Sequence, residues 1–331
     1  MKAVQLTQPG KITIVEIEKP ALEKNQVMVK MGAVALNRRD QWIREGKYPN
    51  IQINTTLGSD GCGEVVALGS EVSQMWLGKI VMINPNVNWG ENEKVQSSDY
   101  SVLGMPFDGT FSEFMAVDVD HIIEKPSFLT VEQAAALPLG GLTAYRAIMN
   151  HGQLNDNSSV LISGFGGGVA QFAFQFAIAM KARVYVTSGS REKIDRAIEM
   201  GANDGFNYKE EDWHKEALKK SGGFDIVIDS AGGNAINSFI KIMKPAGRIV
   251  FYGATNGLPD KIDLYRMFWN QITLQGSTMG NDTEFGEMVE FVDKYKITPL
   301  IDSVRSFNDI LSAFDQMKAG ERIGKLVIRL A

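Results

Sequence analysis

Cysteine is almost missing from this 331-residue chain: Cys62 stands alone, so no intrachain disulfide can form. Such a chain suits a reducing compartment, and a cytoplasmic protein is expected. Histidine is nearly as scarce. The three present, His121, His151 and His214, have no metal-ligand spacing with one another or with Cys62. No apolar run reaches membrane length. The most apolar helical stretch, Val169–Met180, is too short to span a bilayer and carries Gln171 and Gln175. The opening Met1–Gly10 lacks the hydrophobic core of a signal peptide. Positive charge is not in excess either. With 34 Lys and Arg against 39 Asp and Glu the net charge is −5, a poor balance for gripping phosphate backbones, so nucleic acid is not an expected partner.

What is present is an ordinary globular composition, 44% hydrophobic and 22% charged, with length enough for two domains. The first 120 or so residues read as β structure: Val4–Leu6, Ile12–Val15, Val27–Leu36, Cys62–Leu68, Lys79–Ile83 and Phe111–Val117, with one short helix at Arg38–Glu45. Glycines punctuate these strands as the turns of a partly open barrel require, and Asn84–Pro106 reads as a loop lobe. After Pro126 the rhythm changes. Thr130 with Gln133 three residues on signals a helix start, and a second helix is expected over Leu142–Met149. Short apolar strands then alternate with helices: Val160–Ser163, Arg183–Thr187, Gly205–Asn207, Asp225–Asp229, Arg248–Tyr252 and Ile272–Gln275. Six strands in that pattern predict a doubly wound parallel sheet, an α/β nucleotide-binding domain. Helices at Glu284–Tyr295 and Asn308–Lys318 follow, then a strand, Lys325–Leu330, that is expected to return to the first domain.

One segment carries a specific chemistry. Strand Val160–Ser163 runs into Gly164-Phe165-Gly166-Gly167-Gly168-Val169-Ala170, and a helix begins there. Within a βαβ unit such glycines let backbone amides approach a dinucleotide pyrophosphate. An NAD-binding chain usually places Asp or Glu at the end of the next strand to hold the ribose hydroxyls. Here that place is Ser188, followed by Arg191 and Lys193, a setting that admits a 2′-phosphate. The expected cofactor is therefore NADPH, with the loop that holds Gly164, Gly166, Gly167 and Gly168 letting its backbone approach the pyrophosphate.

Further landmarks line up in order: Asn37-Arg38-Arg39-Asp40, Gly46-Lys47-Tyr48-Pro49, Gly58-Ser59-Asp60-Gly61-Cys62-Gly63, Gly109-Thr110-Phe111, Ala134–Pro138, Gly141-Leu142-Thr143-Ala144-Tyr145 and Asp229–Gly233. With the glycine loop, they make the chain resemble the medium-chain dehydrogenase/reductase superfamily, closest to its zinc-independent quinone-oxidoreductase branch. The resemblance implies a GroES-like β-barrel catalytic domain over residues 1–125, rejoined by about 277–331, around a cleft shared with a Rossmann domain over 126–276. It implies Gly167, Gly168 and Val169 at the pyrophosphate, Thr143, Gly253, Ser277, Thr278, Met279 and, more weakly, Lys325 at the cofactor, and Tyr208 with Ser188 and Lys193 at the 2′-phosphate. Tyr208 can equally be a loop aromatic that packs its ring.

Zinc-dependent members supply a cysteine where this chain has Asn37, a histidine where it has Ser59, and a third ligand near Leu139; Asp40 and Asp60 alone would make a poor zinc site. The resemblance thus points to hydride transfer from NADPH to a quinone or α,β-unsaturated carbonyl with no metal. Asn37 and Tyr48 are the expected catalytic donors to the developing oxyanion, although Asn37 can equally hold a helix start and Tyr48 a turn. A zinc-type alcohol dehydrogenase and a non-catalytic NADPH-binding sensor or RNA-binding protein are the alternatives. Relatives usually form dimers or tetramers, often through Rossmann edge strands, for which Ile272–Gly276 is the expected edge. Cys62, between two glycines, reads as a small buried hydrophobe.

Overall fold

The computed structural model describes Met1–Gly320 and Arg322–Leu330. Its first segment builds β1 (Lys2–Gln8), β2 (Lys11–Glu16), β3 (Gln26–Ala35), α1 (Arg38–Arg44), β4 (Asp60–Leu68), β5 (Ile80–Ile83), β6 (Asn86–Val87), β7 (Ser101–Val102), β8 (Phe114–Asp118), β9 (Ile122–Glu124) and α2 (Val131–Ala135). The second builds α3 (Pro138–Tyr145), continued as a π-helical turn over Arg146–His151, then β10 (Ser159–Ile162), α4 (Gly168–Ala179), β11 (Arg183–Ser188), α5 (Arg191–Glu199), β12 (Asp204–Asn207), α6 (Trp213–Ser221), β13 (Phe224–Asp229), α7 (Ala235–Ile242), β14 (Met243–Phe251), α8 (Leu264–Trp269) and β15 (Thr273–Gly276). The chain ends with α9 (Asp282–Tyr295), β16 (Ile301–Ser306), α10 (Ile310–Ala319) and β17 (Lys325–Arg329).

Two compact units result. One comprises Met1–Gly140 with the returning Gly280–Ala331, the other Gly141–Met279. The N-terminal part of the first unit extends past Pro126 because α2 packs on β3 and β4. Thr130 and Gln133 close the capping box at the start of α2 reciprocally, at 3.2 and 2.9 Å.

In the first unit β3 is the organiser. Its ten residues pair with β4 along their length, with β8 over Gln26–Lys30 and with β17 over Ala33–Ala35, all antiparallel. The sheet runs β16-β17-β3-β4-β5-β9, with β8 on β3, and the path does not close on itself. Among the described residues the expected barrel is thus an open sheet. The strand expected over Phe111–Val117 begins only at Phe114, because Phe111 turns its ring onto Gly58 and bonds through its amide to Leu57. Its core gathers Val4, Val29, Phe111, Phe314 and Leu326, so the C-terminal return is part of the core itself.

In the second unit the strand order is β12-β11-β10-β13-β14-β15, all parallel. The chain winds outward from β10 in one direction, then from β13 in the other. The switch of direction lies between β10 and β13, where ligands of such sheets bind at the carboxyl ends of the strands. Among the described residues no helix is long and apolar enough to cross a membrane.

Candidate active site

The carboxyl end of β10 delivers the glycine loop to this switch point. Gly164 (φ 64°) and Gly166 (φ 110°) adopt backbone that a side chain would strain, Gly166 outside even the left-handed helical well. The loop is pinned from beneath. Phe165 donates its amide to Thr187 O at 2.9 Å and buries its ring edge-on against Phe174. Helix α4 then starts with Gly167 as N-cap, without a capping side chain and without an acidic residue in its first turn. A Cβ built on Gly164 would meet nothing within 4 Å, so this face is open. Open space, glycine backbone and an uncapped helix start fit a pyrophosphate.

A residue that sequence reasoning left without a role holds this arrangement. Asp229, fully buried at the end of β13, hydrogen-bonds Ser163 Oγ just before the loop and accepts from the amides of Ala231 and Gly232 at 3.1 and 2.7 Å. It ties the two strands together across the switch point. Gly253 follows β14, and a Cβ there would sit 3.0 Å from Ser230 O. Ser277, after β15, bonds through its amide to Phe251 O at 2.9 Å, while Thr278 is exposed and Met279 buried. Thr143 lies buried on α3 in the same unit.

At the end of β11 the side chains sort differently from their order in sequence. Ser188 is buried, its hydroxyl between Phe165 O at 3.5 Å and the Ser190 amide at 3.4 Å. Arg191 is exposed and held by Asp195 one helical turn on, Nε to Oδ1 at 2.9 Å. Lys193 sits in the first turn of α5, its amide capped by Ser190. Tyr208 is half exposed and lies over Gly189, where an added Cβ would come within 2.7 Å of its hydroxyl and 2.8 Å of Lys209 Cε. The ring therefore does not pack into the core. Beside it Lys209, which sequence reasoning missed, has no ion-pair partner among the described residues.

In the first unit β17, β3 and β4 lie side by side, and Ala35 pairs with both Val327 and Asp60. That register gathers Lys325, Asn37 and Asp60. Lys325 Nζ donates to Asn37 Oδ1 at 2.6 Å and to Asp60 Oδ2 at 2.7 Å; Asn37 Nδ2 donates to the same Asp60 Oδ2 at 2.9 Å. The other carboxylate oxygen accepts from the Leu139 amide at 2.7 Å. Lys325 and Asp60 are 2% and 0% exposed. Asn37 stands at the N-cap of α1, but its side chain is committed to this cluster; the cap is made by Asp40, which accepts from the Asn37 backbone amide at 2.7 Å.

Arg39 forms the other side of α1. Its guanidinium donates to Tyr48 Oη at 3.2 Å, Ser59 Oγ at 2.6 Å and the carbonyls of Val102, Leu103 and Met105. It also lies over the Tyr48 ring, 4.7 Å from its centre. Tyr48 therefore keeps its hydroxyl proton to donate. The Asn84–Pro106 lobe that Arg39 grips is mostly loop, with β6 and β7 as a two-stranded clip, and Trp89 packs inside it on Tyr100. Burial pushes the Cys62 thiol up to about 12, which suits a packing residue. Among the described residues no three His, Cys, Asp or Glu side chains are grouped to hold a metal ion.

Asp40 gives the cluster a pH signature. It is wholly buried, its Oδ1 has no hydrogen-bond partner among the described residues, and burial pushes its carboxyl up to about 6, against the pull of Arg39 and the Asn37 amide. A raised carboxyl stabilises the fold below its unfolded value near 4 and loses that contribution as pH rises through about 6. Asp40→Asn removes the buried charge while keeping an acceptor for Asn37. Its stability relative to the parent is expected to rise between pH 4 and 7 by up to about 3 kcal/mol. Denaturant midpoints measured at both pH values check this; a difference independent of pH would refute the buried charge.

Comparison with known proteins adds independent findings. A family profile described as a zinc-binding dehydrogenase matches residues 168–294, and one described as an alcohol dehydrogenase GroES-like domain matches residues 23–127. The zinc-type alcohol dehydrogenase-like protein YogA of Leptosphaeria maculans is 34% identical, over 99% of this chain and 97% of that protein. A zinc-type alcohol dehydrogenase-like protein of Schizosaccharomyces pombe, C1773.06c, is 31% identical over 93% and 92%. Among solved structures, an NAD-dependent alcohol dehydrogenase superposes with a TM-score of 0.95 at 30% identity, over the full length of both chains.

Proposed function

Since this chain belongs to the medium-chain dehydrogenase/reductase superfamily, we propose that it is an NADPH-dependent reductase of quinones or α,β-unsaturated carbonyls that works without a catalytic metal. The observation that carries the cofactor assignment is the end of β11. Ser188, not a carboxylate, ends this strand, while the Tyr208 hydroxyl and Lys209, without an ion-pair partner among the described residues, flank bare backbone at Gly189. Arg191, already neutralised by Asp195, contributes less.

When bound, the nicotinamide supplies the hydride. The protein's part is to receive the charge that appears on the acceptor's oxygen. Asn37 is fitted for this. Its amide oxygen faces an ammonium, so its nitrogen is the donor, with one N–H on Asp60 and a second that no described residue takes up. Tyr48 holds a hydroxyl proton that Arg39 cannot take, and can pass it to the enolate carbon or the phenolate oxygen. The product then carries one hydride and one proton more than the substrate.

The names of the relatives favour a second reading, a zinc-type alcohol dehydrogenase. One experiment separates the two: NADPH oxidation is followed over a panel of quinones, enones and aldehydes, before and after exhaustive chelation. Steady turnover with quinones or enones, unchanged by chelation, is expected. Activity that requires a stoichiometric metal would defeat the proposal, and nucleotide binding without turnover would favour a sensor.

A homodimer belongs to the same proposal. β15 is the outer strand of its sheet, and the α8 segment before it exposes Leu264, Tyr265, Phe268 and Trp269, the last 77% exposed. An unpaired strand edge beside exposed aromatics suits a second copy related by a twofold axis. The Phe268→Asp/Trp269→Asp variant is expected to sediment as a monomer where the parent sediments as a dimer. A parent that is monomeric at high concentration would remove the dimer from the proposal.

A further inference from the structure

The positions that hold zinc in metal-dependent members of the superfamily are crowded here by positive charge. Asn37 Oδ1 and Asp60 Oδ2 both face the Lys325 ammonium, at 2.6 and 2.7 Å. Ser59 Oγ faces the Arg39 guanidinium at 2.6 Å and donates to Leu103 O at 2.8 Å. Leu139 offers only its backbone amide, to Asp60 Oδ1. An amide, a hydroxyl and a single carboxylate, all engaged, are a weak donor set for zinc. A divalent ion brought among them would stand against two buried cations, Lys325 at 2% and Arg39 at 7% exposure. The residues present do not fit the metal.

We infer that the Lys325 ammonium is the resident cation of this site, standing in the place of the metal, and that it positions Asn37. The inference rests on the proposed role of Asn37 but adds a residue and a reason. An ammonium has three donors and no acceptor, so it can face only the oxygen of the Asn37 amide. That contact fixes which way the amide points and leaves its nitrogen as the donor. The same ammonium draws electrons from the amide and sharpens the remaining N–H. Two of its own three N–H groups are spent on Asn37 and Asp60. The backbone makes the placement permanent: β17 pairs with β3 just before Asn37, and the Leu36 amide bonds to Leu326 O at 3.0 Å. Unlike a metal, this cation cannot be lost to a chelator.

The decisive test is metal content. Zinc per chain is measured after equilibration with zinc and desalting, for the parent, for Asn37→Cys/Ser59→His, and for the same double variant carrying Lys325→Met. With the two ligands restored beside Asp60, the double variant is expected to hold only traces while Lys325 remains, and the triple variant about one zinc per chain. Stoichiometric zinc in the double variant, or none in the triple, would overturn the inference. These outcomes do not depend on turnover, so they stand apart from any failure of the proposed reaction.

A second measurement guards against misfolding of the triple variant. Lys325→Ala deletes the equivalent of n-propylammonium from a buried anionic pocket. Added n-propylammonium chloride is expected to raise the thermal midpoint of Lys325→Ala and leave the parent unchanged, with sodium chloride as control. No specific rise would count against a cation-dependent cluster. If the protein turns over, Lys325→Met is expected to lower kcat with the nucleotide Kd unaltered, and equal losses in both would reduce Lys325 to a purely structural role.

Discussion

Lys209→Glu is expected to weaken NADPH binding at least about thirtyfold, roughly 2 kcal/mol, while leaving NADH within twofold of the parent. The adenosine 2′-phosphate carries close to two negative charges, and Lys209 is an exposed lysine without an ion-pair partner among the described residues. Reversing its sign exchanges attraction for repulsion. Each unit charge pair a few ångströms apart at a wet surface is worth on the order of 1 kcal/mol before screening. The double variant Arg191→Glu/Asp195→Arg, which exchanges the two charges and keeps the pair neutral, serves as the contrast. The Arg191 guanidinium already sits 2.8 Å from Asp195 Oδ1, so its net pull on a phosphate is small and the loss should be several-fold at most. Ser188→Asp, placed where an acid would hold ribose hydroxyls, is expected to narrow the gap further by favouring NADH. Isothermal titration of both nucleotides into the parent and the three variants measures this. Equal affinities in the parent would show that no 2′-phosphate site exists at the end of β11, and an Arg191 effect larger than that of Lys209 would show that the wrong cation has been assigned.

This contrast also shows where the sequence is readable and where it is not. The β10–glycine loop–α4 segment is legible because every part of it is local: apolar strand, glycines, helix start, next strand. The Thr130–Gln133 cap is legible for the same reason, and so is the return of β17, since a six-stranded sheet leaves no room for it. Arg191 and Lys193 stood out because they follow Ser188 directly, yet the i,i+4 spacing of Arg191 and Asp195 already foretold a helical ion pair. Lys209 lies beyond the next strand in sequence order and reaches Gly189 only through the β11–β12 pairing. The Lys325–Asp60 contact spans 265 residues and follows from the register of three strands, which no periodicity announces. β16 escaped because its residues, Ile301–Ser306, alternate without a strongly apolar face; every second one is exposed and none is buried. Helix α6, by contrast, carries an amphipathic pattern in Trp213–Ser221 that could have been found.

Asn37→Ala is expected to lower kcat for enone or quinone reduction about 100-fold or more, near 3 kcal/mol, with little change in KM and none in NADPH affinity. The donor is needed where charge develops, so its loss appears in the transition state rather than in ground-state binding. The fold should tolerate the change. Lys325 and Asp60 touch directly at 2.7 Å, so truncating Asn37 leaves the buried charges paired. The Asp40 cap is made to the Asn37 backbone amide, which alanine retains. Asn37→Asp sets the sign of the effect. A second carboxylate beside Asp60 removes the donor and presents negative charge to a developing oxyanion, so its kcat should fall below that of alanine. Tyr48→Phe leaves the Arg39 contacts to Ser59 and the lobe carbonyls in place and deletes only the hydroxyl. Its loss should be about tenfold, because water can return the proton. The measurement is a steady-state kcat and KM set for the three variants beside the parent, with thermal midpoints to show intact folds. A fully folded Asn37→Ala protein that keeps its kcat within twofold would remove Asn37 from the reaction.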